Sequence, residues 1–323
     1  MNTLSTATVM AAALSWALTT SALAQGSNAS VTQTGAGNLS LISQTNTGAE
    51  VTAIIIQNGN SKLVVDPQGG SGGVQQSNAE VLRAEIRQTG EANRANLTQA
   101  GGWRALFYLD QNGEANIASV QQQDTASSVT RITQSGNGNY VESQAYSVGA
   151  NGYVARQTGI NNDIRVVDVN TGYSGPVMEQ QGASNLVIVQ QDNVFYSTTR
   201  VNQLGNQNQA IALHNNTEAT RTTIDQSGNE NIAYARRTTG VSGANATIAQ
   251  TGDGNLVVGD QSGWNTDYSV LQNGQQNIAI VQQTGVLLPF ADTSNVALIT
   301  QTGNGHYAVL SQSGVGNRGS IAQ

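Results

Sequence analysis

The chain has 323 residues, of which 38% are hydrophobic, 5% aromatic and only 10% charged, against about 25% charged in an ordinary globular domain. With a net charge of -7, 13 basic residues of which Lys62 is the sole lysine, and no cysteine, the composition disfavours electrostatic binding of nucleic acid and excludes disulfides and thiolate metal sites. Val, Ile and Thr are plentiful, which directs the chain toward β structure rather than disorder.

The first predicted element is a leader. Val9 to Leu18 is a mostly apolar run, and Ala22-Leu23-Ala24 follows as a small-residue cleavage pattern. Together they read as a secretory signal peptide over 1–24, although Met1 to Ser5 carry no Lys or Arg. The mature chain is expected to start near Gln25 and to be secreted. No stretch reaches the roughly 20 apolar residues that a bilayer span needs, so membrane insertion is not expected.

From residue 27 onward one unit recurs: Gln, any residue, Gly, two residues, Asn, five residues, then often Gln. The leading glutamines are Gln33, Gln57, Gln88, Gln111, Gln134, Gln157, Gln180, Gln203, Gln226, Gln250, Gln272 and Gln301, and from Gln88 to Gln226 every step is 23 residues. The glycines two positions on are Gly35, Gly59, Gly90, Gly113, Gly136, Gly159, Gly182, Gly205, Gly228, Gly252, Gly274 and Gly303. The asparagines five positions on are Asn38, Asn93, Asn116, Asn139, Asn162, Asn185, Asn208, Asn231, Asn255 and Asn277, with Lys62 and His306 in the remaining slots. Trailing glutamines stand at Gln44, Gln99, Gln122, Gln191, Gln261 and Gln283. Gln312, Gly314, Asn317 and Gln323 read as a closing half unit. The segments 69–81 and 284–294 exceed the usual connection and read as loops that bulge from the stack.

Inside the unit the apolar residues alternate with period two. An apolar residue precedes every leading Gln by two positions, as in Ile86, Leu109 and Ile132, and apolar residues follow the Asn at two and four positions, as in Ala118 and Val120. Period two is a strand signature. Each unit therefore predicts a strand ending on Gln, a four-residue turn containing the Gly, and a strand beginning at Asn. The apolar residues share one face with Gln and Asn, and often with a small residue six before the leading Gln (Ser27, Ser128, Ser174, Ser197). That face can be buried only if the two strands fold onto each other and each layer stacks on the next, which predicts an all-β, two-sheet β-solenoid of about twelve and a half layers over 25–323. In register, columns of identical amides satisfy one another between layers, as in cross-β fibrils.

These residues match Ser-x5-Gln-x-Gly-x2-Asn-x5-Gln, and the chain resembles the curlin repeat of curli subunits. Two units fit at every position: Ser27, Gln33, Gly35, Asn38 and Gln44, and Ser174, Gln180, Gly182, Asn185 and Gln191. The unit from Ser128 has Ala145 in its trailing slot, and that from Ser197 ends on His214. The resemblance implies a structural subunit of functional amyloid on the bacterial cell surface and in the extracellular matrix. It also implies partnership with further copies of itself, a nucleating subunit, periplasmic chaperones and an outer-membrane secretion channel. The chain departs from typical curlins in having more repeats and in having only Gln25 and Gly26 between the leader and Ser27.

Other residues read as follows. Lys62, and Asp66 beside Pro67, should make the second repeat stack less well, and Pro176 falls on an inward strand position where it removes a ladder donor. His214 and His306 read as polar substitutes in the amide columns rather than metal ligands. No Ser, His and Asp are spaced as a triad, no carboxylate and basic cluster of a polysaccharide lyase recurs, and outward threonines form no regular ice-binding array, so the expectation is a non-enzyme without cofactor. The alternatives are the nucleating subunit of the same fibre and a monomeric solenoid adhesin or ice binder. Outward positions of the second strand are apolar at Leu39 and Leu41, Leu63 and Val65, Leu186 and Ile188, Leu256 and Val258, and Ile278 and Ile280, which predicts lateral bundling.

Overall fold

The computed structural model describes residues 6–12, 16–20, 27–45, 50–64, 73–78, 80–146, 149–150, 152–173, 175–238, 240–286 and 294–323. Much of the expected leader, and Val65, Asp66, Pro67 and Ser174, lie outside the described residues. Within 1–24, Thr6–Ala12 is a strand antiparallel to Leu39–Thr45, and Trp16–Thr20 is antiparallel to Thr6–Ala12.

The architecture is an all-β solenoid of stacked parallel strands. The chain divides into two compact units, 1–162 and 163–323. In the first unit the leading strands Asn28–Thr34, Thr52–Asn60, Arg83–Glu91, Leu106–Glu114, Val129–Asn137 and Val154–Ile160 form one wall. The strands after each Asn, including Leu39–Thr45, Arg94–Ala100, Ile117–Gln123 and Tyr140–Tyr146, form the other. The second unit repeats the plan, with a leading wall from Val177–Ala183 to Arg318–Ala322 and a trailing wall from Asp163–Val169 to Tyr307–Gly314. Strands within a wall are parallel because each circuit brings the chain back in the same direction, and Gln pairs with Gln in the register, as Gln88 with Gln111 and Gln111 with Gln134.

Burial follows the predicted alternation. In one layer Phe107, Leu109, Gln111, Asn116, Ala118, Val120 and Gln122 are all buried, while Tyr108 and Asp110 between them are not. Ser27, Ser128 and Ser197 are buried as expected. Fully burying an aliphatic side chain contributes about 1.5–3 kcal/mol, so each layer adds a few apolar contacts between two ranks of satisfied amides.

Four details differ from the sequence-based expectation. The leading strand does not end on Gln: in Leu106–Glu114 the ladder continues three residues past Gln111, through Gly113. Gly113 has φ 118°, which lets the strand bend while its backbone stays paired. The segment read as a loop over 69–81 contains a strand, Val74–Ser77, which pairs with Leu39–Thr45 and Arg94–Ala100. The extra residues therefore interrupt a trailing strand, which stops at Leu63–Val64 and resumes at Val74. At the other expected loop, strand Ile278–Gly285 continues to Gly285, and 287–293 lie outside the described residues. Pro176 is buried just before Val177–Ala183 rather than inside it, so no ladder donor is lost within the strand.

Candidate functional site

The leading glutamines form a directional column. In the first unit Gln33 Nε2 donates to Gln57 Oε1 (2.6 Å), and the same bond links Gln57 to Gln88, Gln88 to Gln111, Gln111 to Gln134 and Gln134 to Gln157. In the second unit it links Gln180 to Gln203 and continues through Gln226, Gln250, Gln272 and Gln301 to Gln323. The second Nε2 hydrogen crosses to the other wall: Gln111 donates to the Arg94 carbonyl at 3.0 Å and Gln203 to the Leu186 carbonyl at 3.0 Å. A buried amide without partners costs roughly 1–3 kcal/mol, and here both donor hydrogens are engaged. In these Gln-to-Gln bonds the donor points toward the higher-numbered layer.

The Asn and Gly columns build the arch. Asn116 donates from Nδ2 to Asn93 Oδ1 (3.1 Å) in the preceding layer and to the Gly136 carbonyl (2.8 Å) in the next, and its backbone N–H also reaches Asn93 Oδ1. Asn139 and Asn162, and in the second unit Asn208, Asn231, Asn255 and Asn277, bond the preceding Asn in the same way. Gly113 lies so close to the next arch that an added Cβ would sit 2.1 Å from the Gly136 carbonyl oxygen. Only glycine fits both that approach and the positive φ.

Lys62 fills the Asn slot of its layer with donors alone. Its side chain is buried, its backbone N–H donates to Asn38 Oδ1 at 3.1 Å, and its ammonium donates to the Gly90 carbonyl, which reproduces two of the Asn's donor bonds but not its acceptor for the next layer. Burial lowers its pKa, against the opposing charge of Glu91. His306 likewise keeps the Asn's backbone bond, to Asn277 Oδ1 at 3.0 Å, with its ring against the Thr302 carbonyl.

The trailing column is less uniform. In the first unit it runs from Gln44 through Gln76 and Gln99 to Gln122, each bond 2.9 Å. Gln76 was not anticipated, because the insertion before it hides its place in the period. Ala145 follows Gln122 in the register, and Gln122 turns to the Thr130 hydroxyl at 2.8 Å. In the second unit the slots hold Asp168, Gln191, His214, Arg237, Gln261, Gln283 and Gln312. Asp168 and Arg237 went unnoticed in the sequence, although each stands eleven residues after a leading Gln (Gln157 and Gln226). Gln312 occupies a trailing slot rather than opening a half unit, since it pairs with Gln283, and Gly314 pairs with Gly285 in the return arch. Asn317 bonds Asn295 Oδ1 at 3.0 Å on that side, and Gln323 accepts from Gln301 in the leading column.

His214 and Arg237 form a buried polar cluster. Arg237 donates to Gln261 Oε1 (2.9 Å), to His214 Nε2 (3.2 Å), to the Arg221 carbonyl (2.6 Å) and to the Thr222 hydroxyl, which lies 2.9 Å from His214 Nε2. Burial lowers the Arg237 guanidinium to about 10. Burial, and then the charge of Arg237, holds the His214 imidazole well below its ordinary range, so it is neutral and accepts at Nε2. Burial pushes the Asp168 carboxyl up to about 7. Its Oδ1 and the Gln191 Oε1 of the adjacent layer are buried acceptors with no donor among the described residues, a setting that suits the protonated acid.

No family model and no curated protein sequence matches the chain. The fold and its amide ladders define the class: a β-solenoid repeat protein whose repeated surface is the face that one layer offers to the next.

Proposed function

We propose that the chain is a structural subunit of an extracellular fibre that grows by end-to-end stacking, as the curlin resemblance implies. One observation carries this reading: in the leading column of each unit the same Gln-to-Gln bond joins consecutive layers, with its donor pointing to the later layer. The first leading amide, Gln33, is only half-buried, and no described amide precedes its Oε1. The last, Gln323, accepts from Gln301 and gives its Nε2 to the Tyr307 carbonyl. A donor end of one copy thus meets an acceptor end of another, with strand edges that pair as the walls do internally. Polymerisation of this kind requires no catalytic residue and no cofactor.

The test is assembly of residues 25–323 from denaturant. Dye-positive, detergent-resistant filaments with an axial repeat of about 4.8 Å and a lag abolished by seeds are expected. A soluble, dye-negative monomer with β circular dichroism overturns the reading and favours a solenoid adhesin.

A further inference from the structure

The outward face of the second unit's trailing wall is apolar over six successive strands. Ile188, Ile211, Tyr234, Val258, Ile280 and Val309 stand in one in-register row. The parallel row two residues earlier on each strand is apolar in every layer except that of Gln209. Ile232, Tyr307 and Val309 are 37%, 59% and 45% exposed, and no described element lies over this face. The equivalent row of the first unit holds Leu41 but then Asn96, Ser119 and Glu142, so the unbroken apolar row belongs to one stretch of the stack rather than to every repeat.

We infer that this face is the lateral contact of the fibre, packed against the same face of a second copy, and that it pairs only once copies are stacked. The occupant follows from periodicity and area. Two flat parallel walls carry the same row spacing of about 4.8 Å, so their side chains interdigitate as in a dry zipper. Six strands about 4.8 Å apart make a patch under about 30 Å long and only two side chains wide, smaller than the roughly 1,000 Å² interface of a stable complex. Isolated chains therefore stay apart, and stacking multiplies the patch until pairing holds.

This inference rests on the polymer reading, and its test separates the two. A chain with the single cysteine V258C, in a sequence that has none of its own, is treated with a short bismaleimide before and after assembly. Crosslinked dimers are expected only in filaments, since facing walls lie about 10 Å apart. The matching S119C chain is expected to give none. A second variant, I188T/I211T/V258T/I280T, keeps β-branched residues and is expected to give filaments with unchanged seeding and a twofold lower mass per length by electron microscopy. Filaments with no V258C crosslink, or an unchanged mass per length, overturn the lateral contact and leave the polymer standing. Crosslinking of the unassembled chain overturns the dependence on stacking. Absence of any filament overturns both, and should the quadruple variant fail to fold, V258C decides.

Discussion

The two units share a backbone plan but treat their trailing columns differently. In the first unit the column is an unbroken run of amides from Gln44 to Gln122, and the wall outside it bears Leu41 and then Asn96, Ser119 and Glu142. In the second unit the same column holds Asp168, His214 and Arg237, and the wall outside is a row of Ile, Val and Tyr. The Gly, Asn and leading Gln columns, by contrast, hardly vary in either. The stack therefore relies on the arch and the leading column, while the trailing column tolerates change because threonines opposite it accept the loose polar ends. Thr130 does so for Gln122, Thr199 for Gln191 and Thr222 for Arg237, the Thr222 hydroxyl donating in turn to His214 Nε2.

Substitutions at shared and divergent positions sharpen this contrast. The largest effect is expected at the arch: G113A in the first unit and G205A in the second should each destabilise by more than about 4 kcal/mol, because a Cβ there would lie about 2 Å from the next carbonyl oxygen. Denaturant unfolding showing a markedly smaller loss in one unit would break the claim that the arch is common to both.

Next comes the pH response of the second unit. The Asp168 carboxyl is raised from 3.8 to about 7, so its contribution is present below the unfolded value and lost as pH rises through 7. A shift of about three units corresponds to about 4 kcal/mol at 1.36 kcal/mol per unit. His214 is depressed, so its contribution is present above about 6.5 and lost as pH falls. D168N should therefore be more stable than the wild type at pH 8 and retain the acid loss, whereas H214Q should be most stable near pH 4. Melting curves from pH 4 to 8 that superimpose for all three chains would refute both assignments.

A smaller gain, about 1–3 kcal/mol, is expected from R237Q, which removes a buried charge and restores the amide facing Gln261. The reverse change in the first unit, Q99R, should destabilise, and chemical denaturation compares the two. The smallest effect concerns the left-handed arch residues. Ala115 (φ 54°) in the first unit and Gln207 (φ 57°) in the second should each gain up to about 1 kcal/mol as glycine, seen as a small rise in melting temperature. A loss at either would mean that its side chain matters more than its backbone strain.

The repeat was readable because its spacing is a physical requirement: a slip of one residue would move a buried amide such as Gln111 outside. Register, inward face and both amide columns follow from that. Positions whose role depends on a change of partner were less legible. Gln76 is displaced by an insertion, Asp168 and Arg237 are charged residues in slots where an amide is expected, and Gln312 begins a Gln-x-Gly-x2-Asn string that mimics the opening of a unit although it closes one. Lys62 looked like a defect because its type is wrong for the slot, yet its backbone N–H and the tip of a long side chain supply the donors needed there.

The placement of the two insertions has an engineering consequence. One interrupts a trailing strand between Val64 and Gly73, the other opens the return arch between Gly285 and Asn295, and neither falls in the arch between a leading Gly and its Asn. Foreign peptides spliced in place of 287–293 would recur once per subunit in the proposed fibre, making the stack a scaffold for ordered display. The same cargo between Gly113 and Asn116 would separate two carbonyl-to-glycine contacts that leave no room even for a methyl group.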